Sequence, residues 1–118
     1  MYRYYNANPR NNSATDCFIR SLSVALDLPW DAVYSKISDI AQWEGTTMDN
    51  RDFVLEYLDR NFLRQPKFYG TIGEASKFYK DNIVLITTKG HIVTSKYGQV
   101  IDTWDSTKRK VEFIWIVE

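Results

Sequence analysis

The stretch Ile83–Trp104, IVLITTKGHIVTSKYGQVIDTW, decides how this 118-residue chain is read. Ile83-Val84-Leu85-Ile86 is a short apolar run bounded by Asn82 and Thr87-Thr88, the form of a buried strand. Ile92 to Lys96 gives a second strand. Tyr97-Gly98 reads as a two-residue turn, and Gln99 to Trp104 as the returning arm of a hairpin. Val111, Phe113, Trp115 and Val117 then alternate along a last strand, which predicts all four on one face.

Upstream of this stretch the period changes from two to that of a helix. From Cys17 onward, Phe18, Leu22, Ala25 and Leu26 recur at helical spacing, and Ile19 widens the apolar face. Pro29 ends that helix and opens the next, striped by Trp30, Val33, Tyr34, Ile37 and Ile40-Ala41. Gly45-Thr46-Thr47 breaks the pattern. Asp49 is the expected N-cap of a third helix, with Phe53, Val54, Tyr57, Leu58 and Phe62 inward. Thr71-Ile72-Gly73-Glu74 forms a capping box for a short helix ending near Tyr79. Residues 1–16 read as irregular. Helices first and strands after predict one α+β domain over residues 1–118, its N-terminal helices packed on one face of a C-terminal antiparallel β-sheet.

The composition narrows function by exclusion. Lys plus Arg and Asp plus Glu are 15 each, so the net charge is zero. A nucleic-acid or acidic-membrane surface would call for a basic excess, so neither partner is expected. The hydrophobic fraction of 44% and aromatic fraction of 15% fit a folded core. A single cysteine forms no internal disulfide and suits a reducing compartment, so a cytoplasmic location is expected. One Cys and one His make no structural zinc site, and no stretch approaches the length of a membrane span.

Chemistry concentrates at a few residues. Cys17, the one thiol, starts a helix, where unpaired N–H groups and the helix dipole favour thiolate. Its bland reading is a small buried hydrophobe. His91, the one histidine, heads a strand after Gly90; its bland reading is a ring hydrogen-bonded at a sheet end. The hairpin returns Asp102 beside His91, level with it across the pair, where a carboxylate would fix the tautomer. Trp104 would shield that bond from water. Asn11, six residues before Cys17, or Asn12, five before, would supply an amide to an oxyanion hole together with the Cys17 N–H.

In order and context these residues resemble the papain-like cysteine peptidase superfamily. The amide stands six before the cysteine, the cysteine opens a helix and is followed by Phe18, Gly90-His91 heads a strand, and Asp102-Thr103-Trp104 looks like the Asn-Ser-Trp segment of papain. Short single-domain papain-like proteins of phages are similar, with Asp-Cys opening one helix and Pro-aromatic the next. Asn11 stands where the family usually has Gln, and Asp102 where papain has Asn. The resemblance implies a catalytic triad: Cys17 as nucleophile, His91 as base and acid, Asp102 as orienter and Asn11 as oxyanion donor. It implies a cysteine protease or amidase that hydrolyses a peptide or protein substrate with no cofactor. The alternative is a catalytically silent binding module of the same fold, acting on a host or partner protein.

Overall fold

The computed structural model describes residues 1–10 and 16–118. In chain order the elements are β1 (Tyr2–Tyr4), α1 (Cys17–Leu26), α2 (Trp30–Glu44), α3 (Arg51–Asn61), β2 (Leu63–Arg64), α4 (Ile72–Phe78), β3 (Ile83–Thr88), β4 (His91–Lys96), β5 (Gln99–Asp102) and β6 (Phe113–Ile116). The strands form one mixed six-stranded sheet in the order β1-β5-β4-β3-β6-β2. The fold is α+β. Among the described residues no helix is long and apolar enough to cross a membrane.

The hairpin forms as the period-two pattern requires. Thr94 pairs with Ile101 and Lys96 with Gln99, leaving Tyr97 and Gly98 as the loop. Both have positive φ, 51° and 84°, the geometry whose twist matches the flanking strands. The turn before His91 also needs its glycine for conformation. Gly90 has φ 75° and open space where a Cβ would stand, so backbone angle, not crowding, selects it.

Helices cover both faces of the sheet, which corrects the expectation of one covered face. Ile83, Leu85, Ile92 and Trp115 pack with α1, α2 and α3. The alternating partners Val84, Ile86, Val93, Val100 and Ile114 pack under α4. This two-sided cover buries all six residues of β3. Val111 departs from its expected face: it precedes β6 and joins the α4 side, while Phe113, Trp115 and Val117 lie on the other.

Two further expectations are corrected. The third helix is capped by Asn50, whose side chain accepts from Phe53 N at 3.1 Å, and not by Asp49. Residues 1–16 are not all irregular, because β1 lies parallel to β5 with Tyr4 opposite Asp102. The sheet is therefore mixed and not purely antiparallel. The Thr71–Glu74 capping box is present.

Helix α1 is stitched to β4 by two buried hydrogen bonds. Ser21 Oγ donates to Ile92 O at 3.0 Å, and Thr94 Oγ1 donates to Ser21 O at 2.6 Å. Leu22 and Ile19 seat the same helix face in the core. Thr94→Val, near in shape but without the donor, should lower stability by about 1 to 2 kcal/mol. Urea unfolding measures it, and an unchanged midpoint would assign that bond no net worth.

Candidate active site

Three elements converge at their ends. Cys17 is the first residue of α1, His91 the first of β4 and Asp102 the last of β5. Cys17 and His91 face each other closely enough that each shifts the other's protonation. On its other side the His91 ring meets Asp102, Nε2 to Oδ2 at 2.5 Å. Each ring has two nitrogens, so Nδ1 is left for the thiol. The structure thus brings together Cys17, His91 and Asp102.

The approach of Asp102 differs in detail from the level pairing expected. Extending the β4–β5 register sets Trp104 opposite His91. Asp102, two residues earlier, reaches the ring along the diagonal, a same-face neighbour in an antiparallel pair. The added strand β1 and the residue after it secure this position. Tyr5 N donates to Asp102 O at 2.9 Å, and the Tyr2 hydroxyl donates to the same oxygen at 3.2 Å. Thr103 N donates to Asp102 Oδ1 at 2.7 Å.

Trp104 lies against the imidazole, with ring centroids 4.7 Å apart at 37°. Arg109 stacks on the same indole, 5.8 Å from its centroid. The His91 side chain keeps only 9% of its surface exposed. Asn11 and Asn12 lie outside the described residues.

The electrostatics follow from these contacts. Burial pushes the Cys17 thiol up. The His91 hydrogen bond, a backbone hydrogen bond from Ile92 and the positive charges of His91 and Arg20 outweigh it, leaving the thiol below its ordinary value. Burial pulls the His91 imidazole down. The hydrogen bonds to Asp102 and Cys17 and their negative charges overcome this and raise it to about 9. Both shifts favour thiolate beside imidazolium.

Sequence reasoning missed the charges behind the pair. Asp16 occupies the N-cap position of α1, yet its carboxylate does not cap the helix. It accepts from Trp30 Nε1 at 2.9 Å and from Asn8 Nδ2 at 3.4 Å, and it pairs with Arg20. Arg20 Nη2 also stands 3.8 Å from Asp102 Oδ1. The available signal was an acid and a base at i and i+4, straddling the only cysteine on an otherwise uncharged helix.

Cys17 and His91 border a cleft of about 1330 Å³. Its apolar wall includes Phe18, Ile19, Met48, Val54 and Leu55, and the stacked Trp30 and Tyr34 also line it. The segment Trp43–Met48 contributes Thr47 and Met48 to the lining, and Gln65–Thr71 contributes no lining residue. An open cleft with a polarised thiol at its border suits nucleophilic chemistry on an extended substrate. Comparison of the chain with protein-family models, with curated proteins and with solved structures returned no match.

Proposed function

We propose that this protein is a papain-like cysteine hydrolase that cleaves a peptide or other amide bond. The observation that carries this reading is the His91 ring hydrogen-bonded to Asp102 and electrostatically coupled to Cys17 at the border of an open cleft.

The path follows from the ion pair. Cys17 thiolate attacks the amide carbonyl carbon, a C–S bond forms and the carbonyl π pair moves onto oxygen. The Cys17 N–H and the Asn11 amide are the proposed donors to that oxyanion. His91 imidazolium gives its proton to the amide nitrogen as the C–N bond breaks, leaving a thioester and a free amine. Neutral His91 then takes a proton from water, and the hydroxide attacks the thioester. The C–S bond breaks, the acid product leaves, and thiolate and imidazolium are restored. Asp102 holds the tautomer and stabilises the imidazolium throughout. Trp104 keeps water from the His91–Asp102 bond. The chemistry calls for no cofactor, and a free thiolate works best in a reducing compartment such as the cytoplasm.

A peptide library digested with the wild-type protein should gain new termini that share a local pattern. The same library treated with Cys17→Ala should not. Identical termini in both digests would overturn the hydrolase reading and favour a binding module.

A further inference from the structure

We propose that Arg20 is a positioning residue, tying the helix start that carries Cys17 to the strand end that carries Asp102 and holding a fixed positive charge behind the nucleophile. The inference rests on the Cys17–His91–Asp102 reading.

Arg20 is the only charged residue of α1, and its side chain is 12% exposed. It lies three residues after Cys17, so the two share a helix face. One terminal guanidinium nitrogen, Nη1, pairs with Asp16 Oδ1, and the second, Nη2, stands 3.8 Å from Asp102 Oδ1. Asp16 is covalently next to Cys17, and Asp102 holds His91. The contacts therefore close a ring: Cys17, Asp16, Arg20, Asp102, His91 and back to Cys17.

The chemistry of the ring explains why arginine fits it. The planar guanidinium fork reaches two carboxylates at once and stays charged at all working pH, whereas a lysine offers one point of charge. Burying two carboxylates and a guanidinium carries a desolvation penalty that apolar packing would avoid. A helix needing only to seat itself on a sheet would carry an aliphatic residue at this position. The ring instead fixes the spacing between helix start and strand end, and so the alignment of thiol and imidazole.

The charges facing Cys17 are His91 from β4, Arg20 from α1 and Asp16 ahead of it, with Asp102 from β5 behind the imidazole. Across the cleft, Arg10 is paired with Asp31 and Arg51 with Glu112, so these four largely cancel at the thiol. Asp49 and Lys89, of opposite sign, line the same cleft. Arg20 is thus the near positive charge besides His91.

The test is the rate of Cys17 alkylation by iodoacetamide across pH, read by mass spectrometry. Circular dichroism checks folding of each variant, and proton NMR follows the His91 titration. Arg20→Met should move the acid limb of the profile to higher pH and slow alkylation near pH 6 by roughly tenfold. Arg20→Lys keeps the charge and loses the fork. It should move the acid limb less than Arg20→Met does while lowering the His91 titration point. If Arg20→Met does not fold, the Lys variant decides alone: an unchanged His91 titration overturns the proposal. A reactive wild type whose folded variants both keep its pH profile and its His91 titration also overturns it, leaving the active-site reading intact. A wild type that alkylates no faster than free cysteine overturns the active-site reading itself, and the role of Arg20 falls with it.

Discussion

Replacing His91 by alanine should slow iodoacetamide alkylation of Cys17 near pH 6 by roughly a hundredfold. Only thiolate reacts at a useful rate. A thiol of ordinary pKa, near 8.5, is about 0.3% ionised at that pH. Burial at the cleft border pushes Cys17 further toward the neutral form. Two of the groups that oppose burial, the His91 hydrogen bond and the His91 charge, disappear in the variant. The Ile92 backbone bond and Arg20 remain, which keeps the loss from being larger. Near pH 9.5 the variant should approach the wild-type rate, because the thiol ionises there without help. A His91→Ala protein within about threefold of wild type near pH 6 would show that the imidazole does not activate the thiol.

The parts of the fold visible in the sequence are those decided locally. The hairpin through Tyr97-Gly98 needs only a two-residue loop and alternating neighbours. Pro29 and the Thr71–Glu74 box mark helix starts by chemistry confined to one turn. What escaped depends on partners far along the chain. Tyr2–Tyr4 is a strand only because the edge of β5 offers it hydrogen bonds, and its sequence YRY carries no buried alternation. The two residues of β2 likewise exist as a strand through Trp115 and Ile116. Which sheet face α4 covers is settled by how the chain crosses, and a helix period holds no record of that.

The candidate site divides the same way. Cys17 and His91 stood out by being single of their kind, and Asp102 by its place one hairpin turn later. Arg20 did not stand out, because its meaning lies in a carboxylate on another element. The diagonal approach of Asp102, by contrast, was countable: a two-residue loop pairs Lys96 with Gln99 and so sets Trp104, not Asp102, opposite His91. For Arg20 the missing information is a three-dimensional neighbour; for Asp102 it is the register that the loop length fixes.

Stability should fall as pH drops from 6.5 toward 5, and Cys17→Ala should abolish that fall. The proton count sets the sign. The folded pair, thiolate with imidazolium, holds one proton. In the unfolded chain His91 titrates near 6.5 and Cys17 near 8.5. The raised His91 contributes stability that is present below about 6.5 and lost as pH rises through about 9. The lowered Cys17 contributes stability that is present above about 8.5 and lost as pH falls through its folded value. Between about 6.5 and 8.5 the two cancel, because folded and unfolded states each hold one proton. Below that window the unfolded chain takes a second proton that the folded pair refuses, and stability drops with pH. Asp59, Glu74 and Asp105 are held below the usual carboxylate range, so they lose their contributions in more acidic solution. In Cys17→Ala only His91 titrates, and stability between pH 6.5 and 5 should change by less than about 0.5 kcal/mol, in the opposite direction. Urea unfolding of both proteins from pH 5 to 8 measures the difference. A wild-type curve that follows the Cys17→Ala curve would mean a neutral thiol beside the imidazolium, and the ion pair on which hydrolysis depends would not exist.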